Sequence, residues 1–145
     1  MSLKEIMYVS RSTVRPMSDL DMDDLLKNAR QKNSDNNITG ALLYDGKNFM
    51  QILEGDEQDV INVYKRILSD PRHKDIITLS NENVKMRCFE SWAMVYKRHR
   101  PKEPDLHELG SFIHTASDSD EAALMARNVF FEEFNLDPRN RYEKS

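Results

Sequence analysis

Hydrophobic and polar positions alternate with two clear periods along the chain. Leu3 to Ser10 repeats every second residue, with Ile6, Tyr8 and Ser10 on one side and Met7 and Val9 on the other, which predicts a strand. Ser18 then caps a helix. Asp21 stands where a capping box needs an acceptor, and Met17 and Met22 are placed to staple the first turn. Met22, Leu25, Leu26 and Ala29 form a stripe at helical spacing, and the helix should fade near Asn33, before the polar Ser34–Asn37 loop. Ile38–Tyr44 and Asn48–Glu54 flank Asp45-Gly46, a pair suited to a tight hairpin with positive φ. Gly55 and Asp56 open a second helix, striped by Val60, Val63, Tyr64, Ile67 and Leu68 and stopped by Asp70-Pro71. Ile76–Leu79 and Phe89–Tyr96 read as two more strands, with Val84–Arg87 in the bend between them.

The order is βαββαββ. Two amphipathic helices on one face of a mostly antiparallel sheet make an α+β, ferredoxin-like sandwich. The sheet's other face then needs a cover. A short helix carrying Leu106, Leu109, Phe112 and Ile113, and a longer one from Ser119 to Phe134, supply it. The apolar side of the longer helix is Ala122, Ala126, Val129, Phe130 and Phe134. Phe130, Phe131 and Phe134 do not all fit one narrow stripe, so a subunit interface or relay is an open second use.

Composition narrows the function. At 145 residues, with 39% apolar and 32% charged residues, the chain suits one ordinary core without staples. The lone Cys88 has no activating base in any motif around it. Neither a signal peptide nor a membrane span is evident, so a cytoplasmic protein with no membrane partner is expected. The net charge of −4 argues against broad nucleic-acid binding, and the basic run Lys97-Arg98-His99-Arg100 reads as a solvated exit from a strand. There is no Gly-rich phosphate loop, and His73, His99, His107 and His114 lack metal-ligand spacing. Glu54 and Asp56 alone say little about hydrolysis.

What stands out is polar chemistry in apolar places: Tyr8 in the first strand, Asn33 at a helix end and Gln51 in the third strand. In this sandwich the first and third strands can lie side by side, so Tyr8 and Gln51 can meet on one face. Such a pair switches between two hydrogen-bonded arrangements without net charge. An ordinary core tyrosine with a wet hydroxyl is the alternative reading of the same position.

Several segments, in register over about Leu3 to Lys97, resemble the BLUF family of FAD-using blue-light sensors. They are Tyr8-Val9-Ser10-Arg11, Asn33 with Ile38-Thr39-Gly40-Ala41-Leu42-Leu43-Tyr44, and Phe49-Met50-Gln51-Ile52-Leu53-Glu54-Gly55. Asp70-Pro71-Arg72-His73 and Arg87-Cys88-Phe89-Glu90-Ser91-Trp92-Ala93-Met94 follow. The resemblance implies that Tyr8 and Gln51 are the photoactive pair beside a flavin ring held between the two sandwich helices. It implies Asn33 on the ring's carbonyl edge, Ile38 packed near the ring, and Arg66, Asp70, Arg72 and His73 along the ring edge, ribityl and phosphate regions. Lys32 departs from the neutral or aromatic polar residue of many relatives, and its charge suits a path past the ring toward solvent or phosphate. In the family's mechanism Tyr8 gives an electron and then a proton to the excited flavin. Recombination leaves Gln51 rotated or tautomerised, and the absorption band moves to the red. Trp92 and Met94 are the family's output pair, exchanging between a flavin-facing and an exposed position.

The expected division is a flavin-binding domain over 1–98 and a C-terminal cap, output and oligomerisation segment over 99–145. With no effector domain after the sensor, the signal is expected to leave through a downstream signalling protein whose identity no residue names, or through a homo-oligomer. No enzyme activity is expected. A flavin-free interaction module and a small flavin-dependent oxidoreductase are the alternatives.

Overall fold

The computed structural model describes residues 2–14, 17–89, 93–98 and 120–137. Its elements are β1 (Leu3–Ser12), α1 (Asp19–Asp35), β2 (Thr39–Tyr44), β3 (Asn48–Asp56), α2 (Glu57–Leu68), β4 (His73–Val84), β5 (Val95–Arg98) and α3 (Asp120–Glu133). The strands form one sheet in the order β4-β1-β3-β2-β5. All neighbours are antiparallel except β2 and β5, which run parallel. This is the ferredoxin-like sandwich expected, with α1 and α2 on one face and α3 on the other.

Local chemistry sets the boundaries. At the start of α1 the Ser18 hydroxyl accepts from the Asp21 amide at 3.1 Å, and the Asp21 carboxylate accepts from the Ser18 amide at 3.2 Å. Met17 and Met22 are both buried in the same core. The hairpin between β2 and β3 turns at Gly46, whose φ of 98° suits glycine, while the Asp45 carboxylate accepts from the amides of Lys47 and Asn48.

Because β1 and β3 lie inside the sheet, both of their faces are buried. Ile6, Tyr8, Leu42, Phe49 and Leu53 pack with Leu26, Val60 and Val63 under the two sandwich helices. Met7, Val9, Ala41, Leu43, Met50 and Ile52 pack with Phe89, Ala126, Phe130 and Phe131 beneath α3.

Some boundaries differ from the sequence expectation. α1 runs on to Asp35, because the Asn36 amide still reaches the Asn33 and Ser34 carbonyls. β4 is far longer than Ile76–Leu79. As an edge strand it gains its bonds from β1, so its mixed polar sequence carries little periodicity. The last strand is Val95–Arg98 rather than Phe89–Tyr96. The amides of Cys88 and Phe89 donate to the buried Glu54 carboxylate, at 3.0 and 2.5 Å, and not to a neighbouring strand.

Lys97 and Arg98 are the exposed last residues of β5, in keeping with a solvated strand exit, and they also have partners; His99 and Arg100 lie outside the described residues. Lys97 donates to the Glu133 carbonyl at 2.8 Å, and the Arg98 guanidinium sits 5.4 Å from the Tyr44 ring centre. The proposed short helix at Leu106–Ile113 and the indole of Trp92 lie outside the described residues.

Candidate functional site

Pairing of β1 with β3 sets Tyr8 directly across from Gln51. Both side chains point to the face under α1 and α2. The buried Tyr8 hydroxyl donates to Gln51 Oε1, and Gln51 Nε2 donates to the Met94 thioether at 3.6 Å. Burial pushes the Tyr8 phenol far above its ordinary range. The nearby Tyr64 and Asp70 reinforce that shift, and Arg72 opposes it. Tyr64, with its ring centre 5.7 Å away, shares a hydrogen bond of 2.7 Å with Thr78.

Above this pair lies a cleft of about 100 Å³ between the two helices. Its floor is Tyr8, Gln51, Leu42 and Phe49 from the sheet. One wall is Leu25, Asn28, Ala29, Lys32 and Asn33 of α1. The other is Val63, Arg66 and Ile67 of α2, completed by Asp70, Arg72 and His73 at the exit of that helix. Tyr8, Lys32, Asn33, Gln51, Arg66, Asp70, Arg72 and His73 thus come together around one space. Ile38 is fully buried in the core beneath it and does not line the cleft.

Several of these groups also have partners in the chain. Asn33 Nδ2 donates to the Ala93 carbonyl at 2.6 Å. The Asp70 carboxylate takes a forked pair of bonds from Arg72, which holds its pKa below the usual carboxylate range. His73 Nε2 donates to the Ile67 carbonyl at 2.6 Å, and its Nδ1 lies 2.8 Å from the Ser10 hydroxyl. With both nitrogens engaged, His73 offers the cleft its ring rather than a donor. Lys32 and Arg66 bring exposed cationic side chains to its lining.

Sequence reasoning passed over Asn28, Leu42, Phe49, Val63 and Ile67 as cleft residues. The signal for Asn28 was present, since positions 25, 28, 29, 32 and 33 share one side of a helix. Leu25 and Ala29, members of the apolar stripe of α1, line the cleft as well. Met94 is buried against the cleft-side core, but it precedes β5 instead of lying within it.

The family model for BLUF, sensors of blue-light using FAD, matches residues 3–95. The chain belongs to the BLUF family. BLUF domains bind flavin and act as sensory modules. Photoactivated adenylate cyclase subunit beta of Euglena gracilis is 38% identical over 94 residues, covering 64% of this chain and 11% of that protein. The blue light- and temperature-regulated antirepressor BluF of Escherichia coli strain K12 is 35% identical over 73 residues, or 50% of this chain and 18% of the relative. The chain thus matches only a minor part of those relatives' length. Among solved structures, the dark state of the BLUF protein BlrB superposes with a TM-score of 0.65 at 27% identity, covering 88% of this chain and 95% of that one. A bacterial light-regulated adenylyl cyclase gives 0.65 at 30% identity, covering 94% of this chain and 40% of the other.

The BLUF cleft here fits a flavin by its donor set. Apolar walls from Leu25, Ala29, Leu42, Val63 and Ile67 suit the faces of a flat ring, and the amides of Asn33 and Gln51 suit its polar edge. Lys32 and Arg66 suit a phosphate. Among the described residues no group of His, Cys, Asp and Glu is placed to hold a metal ion, and no helix is long and apolar enough to cross a membrane.

Proposed function

We propose that this chain is a blue-light receptor that holds FAD in the cleft between α1 and α2 and signals through Tyr8, Gln51 and Met94. The observation that carries the reading is the buried chain of bonds at the cleft floor, from the Tyr8 hydroxyl to Gln51 Oε1 and from Gln51 Nε2 to the Met94 sulfur. Asn33 and Gln51 would hold the ring's polar edge. Lys32 and Arg66, with Asp70, Arg72 and His73 alongside, would hold the ribityl and phosphate end, and Ile38 would support the floor from below.

When bound, the flavin supplies light absorption and an electron-accepting centre. The chain's own part follows from its groups. Burial keeps the Tyr8 phenol protonated at neutral pH, so an electron taken from this residue is followed by loss of its proton. Gln51 Oε1 already accepts that proton's hydrogen bond. Rotation of the Gln51 amide exchanges its two ends: Nε2 then faces Tyr8, and Oε1 faces a thioether that has no proton to donate. The two arrangements carry the same charge and differ in hydrogen bonding, which is what a reversible neutral switch needs.

Residues 1–98 would form the sensing domain and 99–145 a cap and output segment, in a cytoplasmic protein. The output would be a light-dependent contact with a separate signalling protein or with another copy of this chain. Euglena gracilis carries related segments within photoactivated adenylate cyclase subunits, which supports coupling to an effector without naming one for this chain.

Absorption spectroscopy of the purified protein tests the reading. We expect a flavin band that moves to the red under blue light and returns in darkness, because one stronger hydrogen bond perturbs the chromophore without changing its redox state. The shift should vanish in Tyr8→Phe and Gln51→Leu while flavin remains bound. Mass spectrometry of the released flavin separates FAD from FMN. A flavin that only bleaches, or a colourless protein that refuses added FAD, would overturn the proposal.

A further inference from the structure

The two residues before β5 are held from outside the sheet. Asn33 Nδ2 donates to the Ala93 carbonyl at 2.6 Å, and Arg30 Nε donates to the Met94 carbonyl at 3.1 Å. The Cα pairing of β5 with β2 begins at Val95, so both carbonyls sit at the entry to the strand, where α1 supplies donors to them. Arg30 and Asn33 are three residues apart on α1, one helical turn, which brings both side chains to the same side of the helix. Met94 is therefore fastened twice: its sulfur accepts from the Gln51 amide, and its backbone carbonyl accepts from the Arg30 guanidinium. Arg30 does not line the cleft, so it can be altered without removing a group that would touch the flavin.

We propose that Arg30 is a positioning residue that ties the Ala93–Met94 segment to α1 and thereby governs how a change at Gln51 passes to β5. The inference rests on the light-receptor reading above. When the Gln51 amide leaves the Met94 sulfur, the Arg30 bond holds the Met94 backbone in place, and the change falls on the side chain and on β5 beyond it. Without that bond the segment shifts as a whole and absorbs the change. The required group is the Nε–H at the base of the guanidinium fork, which the terminal ammonium of a lysine does not reproduce. Asn33 makes the neighbouring bond but also lines the cleft, so its replacement would confound anchoring with flavin contact.

The test compares full-length wild type, Arg30→Met, Arg30→Lys and the charge control Lys27→Met, another exposed cation of the same helix. Two quantities are read: the rate of dark recovery after blue light, and the light-minus-dark difference in amide exchange across Val95–Arg98. We expect all four proteins to bind flavin and to show the same red shift, because the Tyr8–Gln51 pair is untouched. Recovery in Arg30→Met and Arg30→Lys should differ from wild type by about threefold or more, since bonds to charged donors are among the stronger single contacts. Their exchange difference over β5 should shrink, while Lys27→Met stays at wild-type values.

Wild-type recovery and exchange in Arg30→Met would overturn the anchor, and so would wild-type behaviour in Arg30→Lys. Should Arg30→Met fail to fold, Arg30→Lys alone carries the decision. A wild-type protein that binds flavin without a red shift sinks the receptor reading itself. A normal wild-type shift with unaltered Arg30 variants sinks only this inference.

Discussion

On the face covered by α3, β1 and β3 present Glu5, Met7, Val9, Met50, Ile52 and Glu54; on the face covered by α1 and α2 the same strands present Tyr8, Phe49, Gln51 and Leu53. The α3 face is filled. Phe130 and Phe131 are fully buried, and the Phe134 ring packs 5.5 Å from Phe89 and 5.2 Å from Phe130. Its two carboxylates are fully buried and bonded to strong donors: Glu5 to the Ser80 hydroxyl, and Glu54 to Thr39 and the Cys88 and Phe89 amides. The face under α1 and α2 instead leaves a cleft, and the polar pair at its floor, Tyr8 and Gln51, is neutral and joined in part to a weak acceptor, the Met94 sulfur. A carboxylate bound to backbone amides fixes one geometry, whereas an amide between a phenol and a thioether can be turned end for end, at the expense of its bond to the sulfur. One face is fixed by its contacts, and the other is the one that the proposed light response would change.

Truncating the α3 face should produce the largest loss of stability. Phe130→Ala removes a fully buried ring, and its cost should be about 3–5 kcal/mol. At roughly 3 °C per kcal/mol for a chain of this size, the thermal midpoint should fall by about 10–15 °C. Protein that remains folded should keep its flavin and its light response, because the cleft lies on the opposite face. A fall below about 3 °C, well short of what a buried ring costs, would mean that α3 is not a fixed part of this core.

A smaller effect is expected where the α3 face holds the connector between β4 and β5. Glu54→Gln keeps the shape but replaces one acceptor oxygen with a donor, and Cys88 and Phe89 both require acceptors. A cost of about 2 kcal/mol in urea unfolding follows from leaving one buried amide without a proper partner. The lost contact lies three residues along β3 from Gln51, so the position of the light-minus-dark band should stay at its wild-type wavelength. A displaced band would show that the two faces are coupled more tightly than their chemistry implies.

The same contrast explains what the sequence disclosed. α1 was legible down to its capping box because Ser18, Asp21 and the Met17–Met22 pair act locally, and the Asp45-Gly46 turn was legible for the same reason. The strands carrying Tyr8 and Gln51 were legible because a strict period of two sorts their faces. β4 and β5 were not, since their limits depend on partners distant in sequence: β4 on the length of β1, and the start of β5 on Glu54, Arg30 and Asn33. Apart from Ile38, the described flavin-site residues named by the family resemblance converge on one space, but Leu42 and Phe49 belong to it only because of packing between elements. Roles carried by backbone carbonyls, such as those of Ala93 and Met94, leave no trace in residue identity.

The smallest effect should come from the edge of the cleft, where Asp70 and Arg72 form a half-exposed pair. The guanidinium bonds of Arg72 hold the Asp70 carboxyl below its ordinary value of 3.8. A depressed folded-state pKa contributes stability that is fully present above the unfolded value and disappears as pH falls through the folded one. Wild type should therefore exceed Asp70→Asn by about 1 kcal/mol or less at pH 7, as expected of a partly exposed pair screened by solvent. The gap should close below about pH 4, where the wild-type carboxyl takes up a proton. Urea midpoints for both proteins between pH 3 and 7, at fixed salt, measure it. A gap that stays constant to pH 3 would assign the contribution to the hydrogen-bond geometry of the loop rather than to charge. A gap much larger than this at pH 7 would place the pair with Glu54 among the fixed supports of the fold, and the division between the two faces would no longer follow the cleft.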